Sequence, residues 1–196
     1  MIVYFLTLGI NVILIDKAMR KLKLYIAQTI DGFIATKDGS VEWLNDNEKQ
    51  EVEENAYGYL DFYDSIDTTL MGYNTYKAIL NFGIPFPYPT KKNYVFSRNH
   101  KKMEDNPVEF ISNNITDFVS DLKESDGKDI WLIGGGEINK LLLNANLIDE
   151  FIITIKTVVL GQGIPLFAKD TELKNFKVVK VETFSDTLVQ LIMERK

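Results

Sequence analysis

The sequence predicts an α/β domain with a mainly parallel sheet and an antiparallel edge. Short apolar runs bounded by turn residues alternate along the chain with segments whose apolar residues recur at helical spacing. The clearest unit spans residues 129–146, where an apolar strand leads through three glycines into a helix that Asn146 ends. Two last strand-like segments, 176–182 and 188–195, are joined at Ser185-Asp186 and predict an antiparallel hairpin that closes the sheet.

The other elements follow from the same patterns. The predicted strands before residue 129 are 22–30, 33–35, 67–71, 93–97 and 108–111. The predicted helices in that part are 45–63, a short helix that Asn74 or Thr75 caps and Gly83 ends, and 116–123. Asp31-Gly32 and Asp38-Gly39 predict hairpin turns on either side of the second strand. After the central helix come a strand over 150–157 and an irregular loop over 160–167.

Composition narrows the classes of function. The chain has 196 residues, a net charge of −6 and 45% hydrophobic residues, which is typical of one globular domain. The acidic balance argues against a basic face that wraps nucleic acid. There is no cysteine, which excludes disulfides and thiolate ligands and fits the cytoplasm, and His100 is the only histidine. We therefore expect a small-molecule ligand and no metal site.

The first residues form a distinct segment. Residues 1–15 are apolar but too short to span a bilayer as a helix, which takes roughly 20 residues. They also lack the basic start and the cleavage site of a secretory signal. Met19, Arg20 and Lys21 then resemble a fresh beginning. We predict an appended segment over 1–20, from an upstream start codon or as an extra strand or helix, followed by one domain over 21–196 with no membrane partner.

Residues suited to ligand binding follow three of the predicted strands. In a parallel sheet, the loops at the carboxyl ends of the strands line one crevice. Glycines allow close approach of a ligand, helix N-termini offer N–H groups to phosphate, and an arginine offers a guanidinium fork. Together the loops predict a dinucleotide or another phosphorylated ligand, although the glycines alone fit a tight turn and Arg98 alone fits a surface residue. The loops comprise Gly72, Tyr73, Asn74 and Thr75; Ser97, Arg98 and Asn99; and Gly134, Gly135 and Gly136.

No pair of side chains forms an evident acid and base. This fits hydride transfer from a nicotinamide, because that reaction needs little from the protein beyond ring placement and one proton donor. Asp31 and Glu48 are the carboxylates best placed to be catalytic donors. Each has a structural alternative, Asp31 as a turn residue and Glu48 as part of the acidic surface of a helix.

Five segments stand in a specific order and spacing. They are residues 29–35, 69–76, 95–99, 131–138 and 160–167. This series resembles the dihydrofolate reductase-like superfamily, most closely the branch similar to the C-terminal reductase domain of the bifunctional riboflavin-biosynthesis deaminase–reductase. The resemblance runs from about residue 21 to the C-terminus. It implies an eight-stranded, mostly parallel sheet with helices on both faces, and a reductase of a pteridine or a ribosylaminopyrimidine.

The resemblance also implies NADPH as the cofactor and gives roles to individual residues. The residues implied near the cofactor phosphates are Gly72, Asn74 and Thr75, and those at the adenosine 2′-phosphate are Ser97 and Arg98. The residues implied beside the pyrophosphate and nicotinamide are Gly134, Gly135, Gly136 and Glu137, with a candidate cis bond between the first two. On the substrate side, the resemblance implies Trp43 on a loop over the substrate, Thr154 in the pterin pocket and Asp31 against the substrate.

Two departures from the family pattern leave alternatives open. Tyr73 stands where the family usually has an arginine, which bears on NADPH against NADH, and Ile133 stands where the riboflavin reductases have a glutamate. Beside the reductase we therefore keep a nucleotide-binding module that has lost turnover and a true dihydrofolate reductase. A third alternative is a homodimeric interaction protein that pairs through Leu188, Leu191 and Met193 of the closing hairpin.

Overall fold

One eight-stranded sheet organises the fold. The structure is a computed structural model, and it describes residues 19–45, 58–98 and 107–196. Its strands are β1 (Leu22–Thr29), β3 (Ile66–Gly72), β4 (Lys92–Phe96), β5 (Glu109–Ile111), β6 (Asp129–Gly134), β7 (Glu150–Lys156), β9 (Phe176–Ser185) and β10 (Leu188–Arg195). A separate pair consists of β2 (Phe33–Ala35) and β8 (Ile164–Pro165). The helices are α1 (Tyr59–Ser65), α2 (Tyr73–Leu80), α3 (Ile115–Glu124) and α4 (Gly136–Asn144), and a short 3-10 turn covers Glu42–Leu44.

The order of strands in the main sheet is β5-β4-β3-β6-β1-β7-β10-β9. Neighbours from β5 to β7 pair in parallel, whereas β10 is antiparallel to both β7 and β9. The predicted fold class is therefore confirmed, including the antiparallel hairpin at the C-terminus. The parallel strands bring their carboxyl ends to one edge of the sheet, which is the edge that matters for the site.

Helices cover both faces of the sheet because its central strands are apolar on both sides. On one face, Leu132 and its neighbours pack beneath α3 and α4; on the other, Trp131 packs beneath α1, and Met71 packs beneath α2. Full burial of one such large apolar side chain stabilises the fold by about 1.5–3 kcal/mol. The fully buried core side chains include Leu22, Leu24, Ile66, Leu70, Met71, Ile130, Leu132 and Leu142.

The second strand does not form the predicted hairpin with the first. It pairs instead with β8, with Phe33 opposite Pro165. The Leu166 amide donates to the Gly32 carbonyl over 2.9 Å, and a Cβ on Gly163 would overlap the Ala35 carbonyl oxygen. The 160–167 loop, predicted as irregular, therefore contains a short strand, and it closes over the end of β1.

One further prediction about a helix needs correction, and a second falls partly outside the described residues. Neither Asn74 nor Thr75 caps α2, because β3 runs directly into the helix and Gly72 is the N-cap residue. The predicted helix over 45–63 is described only in part, as α1. Residues 46–57, and Glu48 with them, lie outside the described residues.

The segment predicted as appended, 1–20, lies outside the described residues except for its last two positions. Arg20 is 5% exposed, and its guanidinium contacts Asp67 and the Thr68 hydroxyl, so the packed domain includes this residue. Within the described ranges, no helix has both the length and the apolar composition needed to cross a bilayer.

Candidate functional site

The three ligand-type loops meet at one edge of the main sheet. β4, β3 and β6 are adjacent and parallel, so that Gly72 lies opposite Phe96 and Met71 lies opposite Gly134. Ser97 follows β4 directly, and its amide donates to the Ile111 carbonyl over 3.0 Å. The described residues of the loops that the sequence assigned to one crevice therefore do lie side by side, whereas Asn99 lies outside the described residues.

The glycine turn after β6 is shaped by the chain that crosses it. The Gly134–Gly135 peptide bond is cis, and Gly134 has a φ of 108°. A Cβ on Gly136 would overlap the Pro165 carbonyl oxygen, so only glycine allows β8 to approach here. The buried Asn139 amide reinforces the contact by donating to the Leu166 carbonyl over 2.9 Å.

Two helices begin in this crevice. α2 starts after Gly72 and α4 after Gly135, and among the described residues neither has a side-chain hydrogen bond at its N-cap. The first amide groups of each helix therefore point toward the crevice, where an anion would be favoured by both hydrogen bonding and the helix dipole. The Thr75 hydroxyl lies 3.3 Å from the position that a Cβ of Gly135 would take, so the two turns are in contact range.

The charged and polar residues of the loops differ in their surroundings. Arg98 and Asn74 are exposed, so both are free to meet a ligand from solvent. Glu137 is also exposed and lies 3.3 Å from the Lys140 ammonium within α4. Tyr73 contacts the rings of Tyr76 and Phe110 at 6.5 Å between centroids, so this side chain lies in an aromatic cluster, at the position where the resemblance implies an arginine.

Asp31 is held within its own turn. Its carboxylate accepts the Thr29 hydroxyl at 2.6 Å, the Gly161 amide at 2.7 Å and the Leu160 amide at 3.2 Å. The Thr29 hydrogen bond, followed by the two backbone amides, lowers the pKa of this carboxyl group. The contacts favour the turn alternative that the sequence left open, and the predicted role in catalysis stays a prediction.

The substrate-side residues surround a polar floor on the α1 face of the sheet. Thr154 is 8% exposed, and its hydroxyl accepts the Gln190 amide at 3.2 Å from the neighbouring strand. Lys156, also 8% exposed, follows on the same face and donates to the Leu44 carbonyl over 3.2 Å. Trp43 precedes Leu44, and its indole N–H is buried with no acceptor among the described residues.

Aromatic side chains form one wall beside this floor. The Tyr25 ring stacks on Phe62 at 4.3 Å between centroids, and the Trp131 indole donates to the Tyr25 carbonyl over 2.9 Å. Burial raises the pKa of the Tyr59 hydroxyl, with a smaller effect from Tyr63, so it stays protonated at neutral pH. A flat apolar surface next to a few polar groups suits a heterocyclic ring.

Gln190 and Lys156 were missed by the sequence analysis. Each is a polar residue that directly follows an apolar one in a mostly apolar strand, which is a weak signal on its own. Their significance depends on the register that puts Gln190 opposite Thr154, and on the alternation that puts Lys156 on the same face. A search for polar residues within buried strands would have found both, Lys156 at the carboxyl end of β7 and Gln190 near the amino end of β10.

Comparisons with known proteins agree with this geometry. The family model for the RibD C-terminal domain matches residues 90–190. The uncharacterized Bacillus subtilis protein YwjB is 38% identical over 169 residues, which are 86% of this chain and 95% of that protein. A crystal structure of a candidate riboflavin biosynthesis protein from Shewanella sp. PV-4 is 28% identical, with a TM-score of 0.79 over 90% of this chain and 99% of that one.

A more distant structure shares the fold. It is the diaminohydroxyphosphoribosylaminopyrimidine deaminase/5-amino-6-(5-phosphoribosylamino)uracil reductase of Thermotoga maritima, 20% identical with a TM-score of 0.67. The likeness covers 92% of this chain but 58% of that one. At this level of identity the match shows the fold alone.

Proposed function

Because this chain belongs to the RibD C-terminal domain family, we propose that it is an NADPH-dependent reductase of a small heterocycle. The proposed substrate class is a pteridine or a ribosylaminopyrimidine related to 5-amino-6-(5-phosphoribosylamino)uracil, within riboflavin biosynthesis. The observation that carries the proposal is that three ligand-type loops lie side by side after adjacent parallel strands. Two of these loops lead directly into helices.

The residues of the crevice fit a dinucleotide. The uncapped amides of α2 and α4 suit the phosphates, and the exposed Arg98 suits a 2′-phosphate because its planar fork matches phosphate oxygens. The glycine turn offers no side chain that would fill the space between the loops. A nicotinamide bound there would supply the hydride.

The chain's own part in the reaction is placement and proton supply. Thr154 and Trp43 are proposed to orient the substrate ring over the polar floor. Asp31 accepts three hydrogen bonds and has a lowered pKa, so at neutral pH it is an ionised acceptor rather than a ready donor. We therefore propose that Glu48 or a water molecule delivers the proton.

The test is a fluorescence titration of the full chain with NADPH and with NADH. We expect tighter binding of NADPH than of NADH. Arg98→Ala should weaken NADPH binding by about 1–3 kcal/mol, the size of a charge-assisted hydrogen bond, and should weaken NADH binding less. Lys92→Ala is the matched control, since Lys92 is an exposed cation at the amino end of β4, and Arg98 follows the other end of that strand. Equal losses of affinity for both nucleotides would show that Arg98 does not bind the 2′-phosphate. If neither nucleotide bound the wild-type chain, the proposal would be overturned.

A second candidate is a nucleotide-binding module that has lost turnover. Two observations favour it. Tyr73 and Ile133 stand where the resemblance implies an arginine and a glutamate, and the Asp31 carboxylate is hydrogen-bonded within its own turn. This module would bind NADPH without consuming it when it is offered dihydrofolate, the ribosylaminopyrimidine or other pterins. Steady oxidation of NADPH with any of these substrates would end this candidate.

We also propose that two copies of the chain associate through the C-terminal hairpin. Leu188 is buried and Leu191 and Met193 are half-buried, whereas Val178 and Val181 of β9 are 59% and 58% exposed. The exposed valines, rather than the buried Leu188, would therefore offer the apolar surface for such an interface. Sedimentation velocity tests this directly, and a monomer at micromolar concentration would remove the homodimer.

A further inference from the structure

We propose that the hydroxyl groups of Tyr59 and Tyr88 form a binding subsite for a neutral, hydroxyl-bearing substituent of the substrate. The inference rests on the proposed function, because it places this subsite beside the substrate ring in the same crevice. It adds two residues to the site and narrows the substrate class to a heterocycle whose substituent carries hydroxyl groups and no phosphate.

Tyr59 stands at the end of α1 that lies nearest the crevice. The helix packs on the sheet and leads directly from Ser65 into Ile66, the first residue of β3, so it runs back along the strands from their carboxyl side. Tyr59 is its first residue, and its ring packs edge-on to the rings of Tyr25 and Trp131, with 6.1 Å between centroids in each case. The aromatic wall therefore ends in a tyrosine on its crevice side.

Tyr88 extends the same wall from the connection between α2 and β4. Its ring lies 5.1 Å from the Trp131 ring and 5.5 Å from the Phe86 ring, edge-on to both. Together with Ile133 it packs against both apolar clusters of this face, the one beneath α1 and the one beneath α2. Tyr88 therefore lies between the two helices, next to the strand that leads into the glycine turn.

The hydroxyl groups of Tyr59 and Tyr88 have no hydrogen-bond partner among the described residues, unlike that of Tyr63. Tyr63 lies one turn further along α1, and its hydroxyl is 3.3 Å from the Thr90 hydroxyl. Tyr59 and Tyr88 are half-buried, and a hydroxyl that is withdrawn from water without a partner is costly. Phe62 packs in the same wall without this cost, so the two hydroxyls are the groups that a ligand would use.

The charges around these hydroxyls indicate what they can bind. Burial is the main reason why the pKa of each hydroxyl is raised, and neighbouring tyrosines raise it further, Tyr63 at Tyr59, and Tyr59 followed by Tyr63 at Tyr88. A nearby cation would lower a tyrosine pKa, and none of the described cations has that effect on either hydroxyl. Both groups therefore stay protonated at neutral pH, as neutral donors and acceptors that lie close enough to influence each other.

The cation beside this cluster is already bound within the chain. The Lys91 ammonium donates to the carbonyls of Tyr63 and Ile66 over 2.8 and 2.9 Å, and it lies 3.9 Å from the centroid of the Tyr63 ring. A phosphate group needs cationic partners to offset the loss of its water, so it would be poorly stabilised here. A neutral substituent with hydroxyl groups instead offers donors and acceptors that match the two tyrosine hydroxyls.

The distance across the strands sets the shape of the ligand. Thr154 on β7 and Trp131 on β6 are two strand spacings apart, about 10 Å, with β1 between them. The polar floor that contains Thr154 and the hydroxyls of Tyr59 and Tyr88 therefore lie at opposite ends of the aromatic wall. A ligand that reaches both ends needs a substituent beyond its fused rings.

The experiment compares three pterins that share one ring system, by calorimetric titration of the full chain without nucleotide. The first, 6-methylpterin, has only a methyl group at the substituted position. Neopterin carries a trihydroxypropyl group there, and neopterin 3′-phosphate adds a phosphate to that group. We expect neopterin to bind about fivefold to 30-fold more tightly than 6-methylpterin, the size of two neutral hydrogen bonds. The phosphate ester should bind at least about threefold more weakly than neopterin.

Two variants each remove a single oxygen atom and keep the ring. Tyr59→Phe and Tyr88→Phe should each weaken neopterin binding by about threefold to tenfold and should change 6-methylpterin binding by less than about twofold. Tyr63→Phe is the matched control, because its hydroxyl is paired with the Thr90 hydroxyl, and it should leave the ratio of the two affinities unchanged. A general loosening of the wall would change both affinities alike, so the ratio reports on the hydroxyls.

The outcomes separate this inference from the function on which it rests. If Tyr59→Phe and Tyr88→Phe weaken both pterins equally, the hydroxyls have no part in binding and the inference fails. Tighter binding of the phosphate ester than of neopterin, or no binding of any of the three pterins, overturns it as well. Failure of the wild-type chain to bind NADPH would instead count against the proposed function, whereas the ratio of the pterin affinities is measured without nucleotide.

Discussion

Two buried lysines lie at opposite ends of the parallel strands. Lys123 lies near the amino ends, at what we call the amino-end edge of the sheet, and Lys156 lies at the carboxyl ends, at the carboxyl-end edge. The Lys123 ammonium is 2.6 Å from the Asp149 carboxylate and donates to the Leu147 carbonyl over 3.0 Å. The Lys156 ammonium donates to the carbonyl of Leu44, within the turn that carries Trp43. The first lysine is enclosed by partners from the packed strands and helices, and the second borders a ligand-type crevice.

Other residues follow the same division. At the amino-end edge, Arg20 binds Asp67, the Ser125 hydroxyl and the Lys128 carbonyl, so its donors are used within the chain. At the carboxyl-end edge, helix N-termini begin without side-chain caps among the described residues. Since buried polar groups need partners, an edge that supplies them internally serves stability, and an edge that leaves donors available is the better candidate for binding.

The largest expected effect comes from breaking the amino-end ion pair. Asp149→Ala removes the acceptor of Lys123, of the Leu22 amide at 2.8 Å and of Arg195, so it leaves an ammonium whose side chain is 4% exposed without its carboxylate. We expect a loss of about 3–5 kcal/mol in the free energy of unfolding, measured by urea denaturation. The NADPH dissociation constant of the folded protein should change less than about twofold, because Asp149 precedes β7 and therefore lies at the opposite end of the strands from the crevice.

A double variant separates charge from packing at that position. Lys123→Met with Asp149→Leu should recover part of the loss, because replacing both members of a buried pair costs less than stranding one. A single variant as stable as the wild type, or one with weakened NADPH binding, would break the comparison between the two edges.

The next largest effect is expected at the carboxyl-end edge. Gly136→Ala places a Cβ against the backbone oxygen of Pro165, so the turn or β8 must move. Overpacking of this kind costs about 1–3 kcal/mol, and here we expect NADPH affinity to fall about tenfold or more along with stability. Gly72→Ala is the matched variant, since its Cβ would meet a side-chain atom of Ile138 at 3.1 Å, at a backbone φ of −77° that alanine adopts.

The readout is NADPH fluorescence combined with thermal unfolding of both glycine variants. Gly72→Ala should be the milder of the two, because the Ile138 side chain can move aside more easily than a backbone carbonyl. If Gly136→Ala bound NADPH with wild-type affinity, the turn would be a structural feature with no part in the cofactor crevice.

Much of the fold could be predicted because its signals are local. The strand, glycine turn and helix over 129–146 carry an apolar run followed by helical spacing, and β6 and α4 appear within a few residues of the predicted bounds. The alternation of such units then dictates a mainly parallel sheet, and parallel strands bring their loops to one edge. That is why Ser97, Gly72 and Gly134 could be grouped from the sequence.

The features that were missed depend on contacts between distant segments. The pairing of β2 with β8 rests on the close approach of Gly163 to Ala35, and strands of three and two residues have no periodicity to detect. The cap of α2 was assigned by residue preference, but a strand that enters its helix directly leaves the N-cap to Gly72. Lys156 and Gln190 gain meaning only from strand register.

The smallest expected effect tests an apparent exception, a carboxylate at the carboxyl-end edge that is satisfied within the chain. Because the pKa of Asp31 is lowered in the folded state, its contribution to stability is present above the ordinary carboxyl value of about 3.9 and is lost as the pH falls through the folded value. Asp31→Asn should therefore lower the melting temperature slightly at pH 7, and this difference should shrink below about pH 4.

Asp38→Asn is the control: the pKa of Asp38 is lowered in the same direction, by Thr36 and the Ser40 amide, but its partners are local in sequence. Since Asp31 ties the end of β1 to residues 160–161, its variant should show the larger shift of the two. An Asp31→Asn protein with the wild-type acid profile and sharply reduced turnover at pH 7 would instead support the proton-donor role, and the carboxyl-end edge would then have no exception.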